Sequence, residues 1–467
     1  MEKKESSEDI QYSTKLAVCY SSATIADTIS YQTFTFLIFT FYYAVVGLNI
    51  NLITLGFVLW SIWNAINDPF LGVLSDRTKT KWGRRKPYII GGIVPLCFIL
   101  IFLWTPPLQS SQMSIFIYFV VMIFLFDTFY TSYSMNQTSL FPEIFVDLED
   151  RAKANNILQI FNIIGLIFAM IAPSFFIPQY DNPDYAVNYI YAGIFMAILA
   201  AIFAGFFIKF GLKERPEYSL DSDLAPPFFK SLKITFTNKS FLTFIIASFA
   251  VWFTIGLLPT IAPLYCSFVL NIKDSTTISI LLAMTFLSAV VFMFLWRIIV
   301  TRLGVKSGVI LALTSLILTL LPFMFITEII GAMIAFTLAG LGIAGLLYTG
   351  DPLMGAIIDE DELKTGLRRE ANYYSMLALS IRFTTIAIFI SISLVFNSVG
   401  WAVFNPRRAT TETIFGLRLL MFLFPTIFLM LGIISVIFFP INRERYEEIR
   451  TSIKELHADK KAKIRSS

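Results

Sequence analysis

The chain has 467 residues, 56% of them hydrophobic and 48 of them Phe, with a mean hydropathy of +0.72 and a net charge of +4. A water-soluble chain of this length needs far more polar surface, because folding buries only part of its area; a protein embedded in lipid does not. The positive balance does not indicate a nucleic-acid partner either, because the Lys and Arg residues sit in short clusters between apolar stretches, where membrane proteins carry orientation signals.

The first sixteen residues, MEKKESSEDIQYSTKL, are polar and charged, and the apolar stretch after them is too long for a cleavable signal. Residues 1–15 are therefore expected to be a cytosolic segment. Stretches long enough to cross about 30 Å of hydrocarbon follow near 16–45, 50–75, 87–105, 113–140, 157–177 and 188–210. A polar connector covers 211–240, and six more stretches lie near 241–269, 277–299, 306–326, 328–350, 372–397 and 413–440. A basic tail occupies 441–467. The expected fold is an all-α membrane protein of about twelve transmembrane helices, six in 16–210 and six in 241–440.

The basic residues set an orientation. Arg77, Lys79, Lys81, Arg84, Arg85 and Lys86 follow the second stretch, and Lys213, Arg215, Lys230, Lys233 and Lys239 occupy the connector. The odd-numbered loops hold only Lys273, Arg407 and Arg408. This bias puts both termini in the cytosol, most simply beneath the cell membrane. The halves also share a faint echo: at an offset of 217 residues Arg151, Ala154 and Asn155 align with Arg368, Ala371 and Asn372. A six-plus-six duplication is the pattern of major facilitator transporters, whose substrate site lies between halves near the midplane.

Ionisable groups within spans are costly and call for a reason. Asp27, Asp68, Asp127 and Arg382 are such groups, and together they imply an internal polar cavity or a set of helix-locking ion pairs. Asn64 and Asp68, four residues apart, share a helix face and offer hard oxygen ligands for Na⁺ or a protonation site. Pro69 frees a carbonyl beside them. The acidic run DEDE at 359–362 reads as a solvated loop or a gate partner rather than a metal site. Cys19, Cys97 and Cys266 lie apart in apolar stretches and read as small core residues, while the single histidine, His457, is in the tail. Neither a catalytic triad, a metal-ligand cluster nor a phosphate loop is visible, so an enzyme or sensor is the least favoured reading.

The segment 67–87, NDPFLGVLSDRTKTKWGRRKP, carries a resemblance. Asp68, Pro69, Gly72, Asp76, Arg77, Thr78, Gly83, Arg84 and Pro87 match in order the signature of the glycoside–pentoside–hexuronide:cation symporters, the melibiose permease-like family of the major facilitator superfamily. SLFPE at 139–143, Arg151 and GLRREANYYS at 366–375 extend the likeness. It implies a secondary transporter that couples Na⁺ or H⁺ to a sugar, glycoside or hexuronide-like solute by alternating access, as a monomer in the bilayer, with no cofactor beyond the coupling ion. Family relatives that move lysophospholipids make lipid transport the alternative. The resemblance implies cation binding at Asp68, Asn64 and Asp27, with any Na⁺ at Asp68. Substrate binding falls to Asp27, Arg382, Ser134 and Asp127, and gating to Asp76, Arg77, Gly83, Arg84, Arg85, Glu143, Arg151 and Arg368. The sequence departs from the family at Asn64, where an aspartate is usual, and at Ser134, which replaces a sugar-binding aspartate. Galactoside specificity is therefore not implied, and the loss of carboxylates favours an anionic solute.

Overall fold

The computed structural model describes residues 12–78, 80–214, 238–366 and 368–466. The expected N-terminal segment up to residue 11 and the connector over 215–237 lie outside them.

The helices follow the apolar stretches: α1 Thr14–Thr40, α2 Ile50–Arg77, α3 Lys86–Phe102, α4 Gln112–Ile144, α5 Leu148–Ile171 and α6 Ala186–Phe206, then α7 Lys239–Phe268, α8 Ser275–Leu303, α9 Val305–Leu320, α10 Ile329–Thr365 and α11 Glu370–Ser398. The twelfth span is broken at Phe422 into α12 Thr411–Met421 and α13 Leu423–Ile437, and a tail helix, α14, covers Arg443–Ser466. Ten described segments are long and apolar enough to cross a membrane, and α3 is a shorter apolar helix. Helix α1 is not among the ten, although it aligns with the first expected span. It carries Ser22, Asp27, Thr28 and Ser30, polar groups tolerated because most of the helix is buried by protein rather than facing lipid.

Helix starts are set by side chains that accept the free N–H groups of the first turn. Asp147 accepts from Glu149 and Asp150 at α5, Asn238 from Ser240 and Phe241 at α7, and Asp274 from Thr277 at α8. Helix α10 ends at Gly366 in a left-handed conformation (φ +74°) that glycine adopts without a Cβ clash. Its last turns hold the acidic run 359–362. Glu360, Asp361 and Glu362 are buried there, so the run is not a solvated loop.

The described residues form two compact units. The first combines the described residues within 12–38, 62–178 and 184–214; the second combines those within 39–61, 179–183 and 238–466. In the first unit α3 packs on α4 and α6. A Cβ at Gly92 would stand 2.7 Å from the Tyr133 backbone nitrogen, so the α3–α4 crossing depends on glycine there. Ile25, Ile29, Ala169, Ala172 and Met196 form a buried core joining α1, α5 and α6.

In the second unit α10 packs on α8 and α9. Its crossing of α8 is equally close, with the Thr285 carbonyl oxygen 2.4 Å from where a Gly340 Cβ would be. The segment Phe39–Ser61 belongs to this unit because of what it packs on. The Phe57 and Phe389 rings stack at 3.7 Å between centroids, and Thr54 Oγ1 donates to the Phe389 carbonyl (3.2 Å). Asn397 Nδ2 and Ser393 Oγ both donate to Asn51 Oδ1 (2.8 and 2.9 Å), and the Tyr43 hydroxyl donates to the Trp401 carbonyl.

Candidate functional site

Polar chemistry in the first unit begins with the facing sides of α2 and α4. The i, i+3, i+4 spacing of Asn64, Asn67 and Asp68 places all three on one stripe of α2. Opposite them α4 presents Asp127 and, one turn on, Thr131. The two helices meet in register. Asn64 Nδ2 donates to Asp127 Oδ1, Asn67 Nδ2 donates to Asp127 Oδ2 (3.2 Å), and Thr131 Oγ1 donates to Asp68 Oδ1 (3.0 Å). A third rung, Trp63 Nε1 to Thr128 Oγ1 (3.1 Å), lies alongside.

Asp127 is 1% exposed, and a carboxylate so deep in a protein requires donors. Two amides supply them. Asn64 thereby keeps its own Oδ1 buried without a hydrogen-bond partner, next to that carboxylate. An acceptor left open beside an anion is poor design for a neutral core, since each unmet buried polar atom costs about 1–3 kcal/mol. It is good chemistry for a cation taking oxygen ligands. Of the sequence-predicted residues, then, Asn64 engages Asp127 directly, while Asp68 lies one turn away against Thr131.

A second polar group lies along α1 and α4. The Ser134 and Tyr130 hydroxyls lie beside the Asp27 carboxylate, Ser134 Oγ donates to the Tyr130 hydroxyl (3.5 Å), and Asp27 Oδ1 is buried without a hydrogen-bond partner. Tyr130 stacks on Tyr31 (centroids 5.1 Å apart) and on Phe126 (5.7 Å), and Phe126 stacks on Phe34 (4.1 Å). A carboxylate and hydroxyls beside aromatic faces can hold a polyhydroxylated ring, which offers hydroxyl donors at its edge and C–H groups on its face. The sequence reading paired Asp27 and Ser134 as substrate groups, and the fold brings them together. Arg382 is half-buried midway along α11, in the second unit.

The sequence-predicted gate residues fall in four places. Arg84 and Arg85 both reach Glu143 Oε1 (2.8 Å each), and Arg85 lies 3.5 Å from Asp76. Glu214, which sequence reasoning missed, accepts the backbone N–H groups of Arg84, Arg85 and Lys86 (2.7, 3.0 and 2.6 Å) and so caps α3, whose own N-cap side chain makes no such bond. Gly83, at φ +105°, makes that turn, and a Cβ there would strike the Glu214 carboxylate at 2.6 Å. Arg77 is exposed at the end of α2. Arg151 takes a different part, donating to the Phe145 and Pro142 carbonyls (3.0 and 3.4 Å) at the end of α4. In the second unit Arg368 pairs with Asp359, Glu362 and Glu370 (3.1, 2.9 and 3.0 Å), the bond to Glu370 doing most to raise its pKa above the ordinary arginine value. Arg369 Nε donates to Asp361 (2.8 Å).

Asn67, Thr131, Tyr31, Tyr130, Glu214 and Arg369 complete these groups and were not singled out from sequence. Asn67 had a signal, its i, i+3 spacing from Asn64; the partners on α4 depend on helix–helix register and had none.

Residues 19–443 match the MFS/sugar transport protein family. The chain is 23% identical to the isoprimeverose transporter of Lactiplantibacillus pentosus, over 78% of this chain and 76% of that one. It is 23% identical to sodium-dependent lysophosphatidylcholine symporter 1 of Gallus gallus, over 85% and 81%. Among solved structures, a D-xylose–proton symporter superposes with a TM-score of 0.67 at 13% identity, covering 92% of this chain and 98% of that one.

Proposed function

The chain belongs to the MFS/sugar transport protein family, and from that premise we infer that it couples Na⁺ to the passage of a sugar, glycoside or hexuronide-like solute. It is a multi-pass membrane transporter, not an enzyme. The observation that carries the reading is the buried Asp127 carboxylate beside the open Asn64 Oδ1. Asp127, Asn64 and, one turn on, Asp68 with Thr131 provide the hard oxygen donors that suit a small cation. Asp27, Ser134 and Tyr130, with Tyr31 stacked on Tyr130, receive the solute. Both termini are placed in the cytosol and the monomer in the plasma membrane; the Lys and Arg bias supports the orientation. The coupling ion is supported by the name of the lysophosphatidylcholine symporter and by the ligand chemistry; the cargo is supported by the family, the isoprimeverose transporter and the aromatic–hydroxyl–carboxylate grouping.

Uptake by reconstituted vesicles tests this. A methyl glycoside and a hexuronide are offered under a Na⁺ gradient, a proton gradient and neither. Accumulation under Na⁺ alone is expected, with Asp127→Asn losing gradient-driven accumulation while retaining substrate exchange. Full, still Na⁺-driven transport by Asp127→Asn removes the cation assignment; drive by protons alone replaces Na⁺ with H⁺; uptake confined to lysophospholipids replaces the cargo.

A further inference from the structure

The second unit contains a cavity of about 380 Å³ that none of the transport groups line. It lies where α8 passes to α9 through Gly304, alongside Pro352 of α10, and the first two turns of α14 close it. Three cations line it, Lys306 from α9 and Arg443 and Arg450 from α14, with the hydroxyl-bearing Tyr348 and Tyr446 and a single carboxylate, Glu447. The size falls within the ordinary range for small-ligand sites.

The cations are held in place but not used up. Lys306 Nζ donates to the Ile437 and Phe439 carbonyls (2.9 and 2.7 Å), two of the three bonds an ammonium can make. Arg443 spends one N–H on the Arg302 carbonyl (3.1 Å), out of the five that a guanidinium offers. Among the described residues Arg450 has a distant contact with Glu447, at 3.7 Å between exposed side chains. Three positive groups facing one negative group leave an excess that an anion would neutralise.

The rim decides which kind of anion fits. Leu303 lines the cavity and is 48% exposed; Ile437 and Phe438, next to the carbonyl that Lys306 holds, are 53% and 74% exposed. These apolar groups stand at the end of membrane spans, where acyl chains would cover them. Helix α14 is anchored on its apolar side, with Ile449 and Ile453 buried where it packs on α10. A charged recess with an apolar lip, at the end of a span, is the shape of a headgroup site. We propose that this cavity binds a phosphate ester, with Lys306, Arg443 and Arg450 taking the phosphate oxygens and the exposed Leu303, Ile437 and Phe438 taking the chain of a membrane lipid. Arg443 and Arg450 come from the tail helix, so occupancy fastens α14 against the start of α9.

The full-length protein in a neutral detergent is titrated with phosphatidylglycerol, with phosphatidylcholine and with sn-glycerol 3-phosphate while its thermal unfolding is followed. Phosphatidylglycerol is expected to raise the midpoint and phosphatidylcholine to leave it in place. Arg443→Gln/Arg450→Gln should weaken the apparent affinity about tenfold or more, Lys454→Gln on the same helix should not, and Glu447→Gln should tighten it. If the double variant does not fold, Arg450→Gln alone serves, because that side chain makes no close contact. A response to glycerol 3-phosphate equal to that of the lipid identifies a soluble phosphate ester as the ligand, and a response to the lipid alone identifies the membrane. Equal responses to the anionic and zwitterionic lipids, or an undiminished phosphatidylglycerol response in folded Arg450→Gln and the double variant, overturn the site.

Discussion

The two units each gather arginines and carboxylates near helix ends, but over very different lengths of chain. In the first, Glu143 takes guanidinium groups from Arg84 and Arg85, 59 and 58 residues earlier, and Glu214 takes the backbone of the same loop from about 130 residues later. In the second, Arg368 and Arg369 reach acids 9, 6, 2 and 8 residues away. The long-range cluster ties the loop after α2 to the ends of α4 and α6, so it holds tertiary structure. The short-range arginine pairs shape the α10–α11 turn, and their acid Glu362 also meets His457 of the tail helix (3.0 Å). Identical pair chemistry therefore has unequal structural consequences, because what a bond stabilises depends on what its loss sets free.

The comparison breaks most readily at Glu143. Its side chain is 14% exposed, and those of Arg84 and Arg85 are 13% and 10%. Glu143→Gln leaves two nearly buried guanidinium groups without their shared anion and is expected to cost about 3–5 kcal/mol, seen as a large fall in the thermal unfolding midpoint. Next comes Glu214→Ala, which uncaps α3; three N–H groups lose their acceptor, partly replaced by water, for roughly 2 kcal/mol in the same measurement. Arg368→Gln should have the smallest effect, about 1–2 kcal/mol, because that side chain is 40% exposed and the buried Glu362 it leaves keeps the His457 ring at 3.0 Å. If Arg368→Gln lowers the midpoint as far as Glu143→Gln, sequence separation is not what distinguishes the clusters.

Much of this was legible in the sequence, for physical reasons. The apolar stretches give the helix succession, and the order Asp76, Gly83, Arg84, Arg85 with Glu143 foreshadows the long-range cluster. The 217-residue echo was a poorer guide. It equates Arg151 with Arg368, yet Arg151 binds carbonyls and Arg368 binds carboxylates, since PEIF before Arg151 holds one acid where DEDE before Arg368 holds four. Asn64 was read with Asp68 because helix spacing is visible along one chain. That it engages Asp127 follows from how α2 and α4 slide into register, which no local pattern encodes. Glu214 was hidden for the same reason, its role fixed by where α6 ends beside the start of α3.

Helix α11 is fastened by different forces at its two ends. Around its start the bonds are ionic, Arg368 with Glu370 and Arg369 with Asp361; near its close, Ser393 and Asn397 meet Asn51 through uncharged groups beside the Phe57–Phe389 stack. Dissolved salt weakens exposed charge pairs, with a screening length of about 8 Å at physiological strength, and leaves neutral hydrogen bonds almost untouched. Ionic strength thus pulls on only one end of this helix.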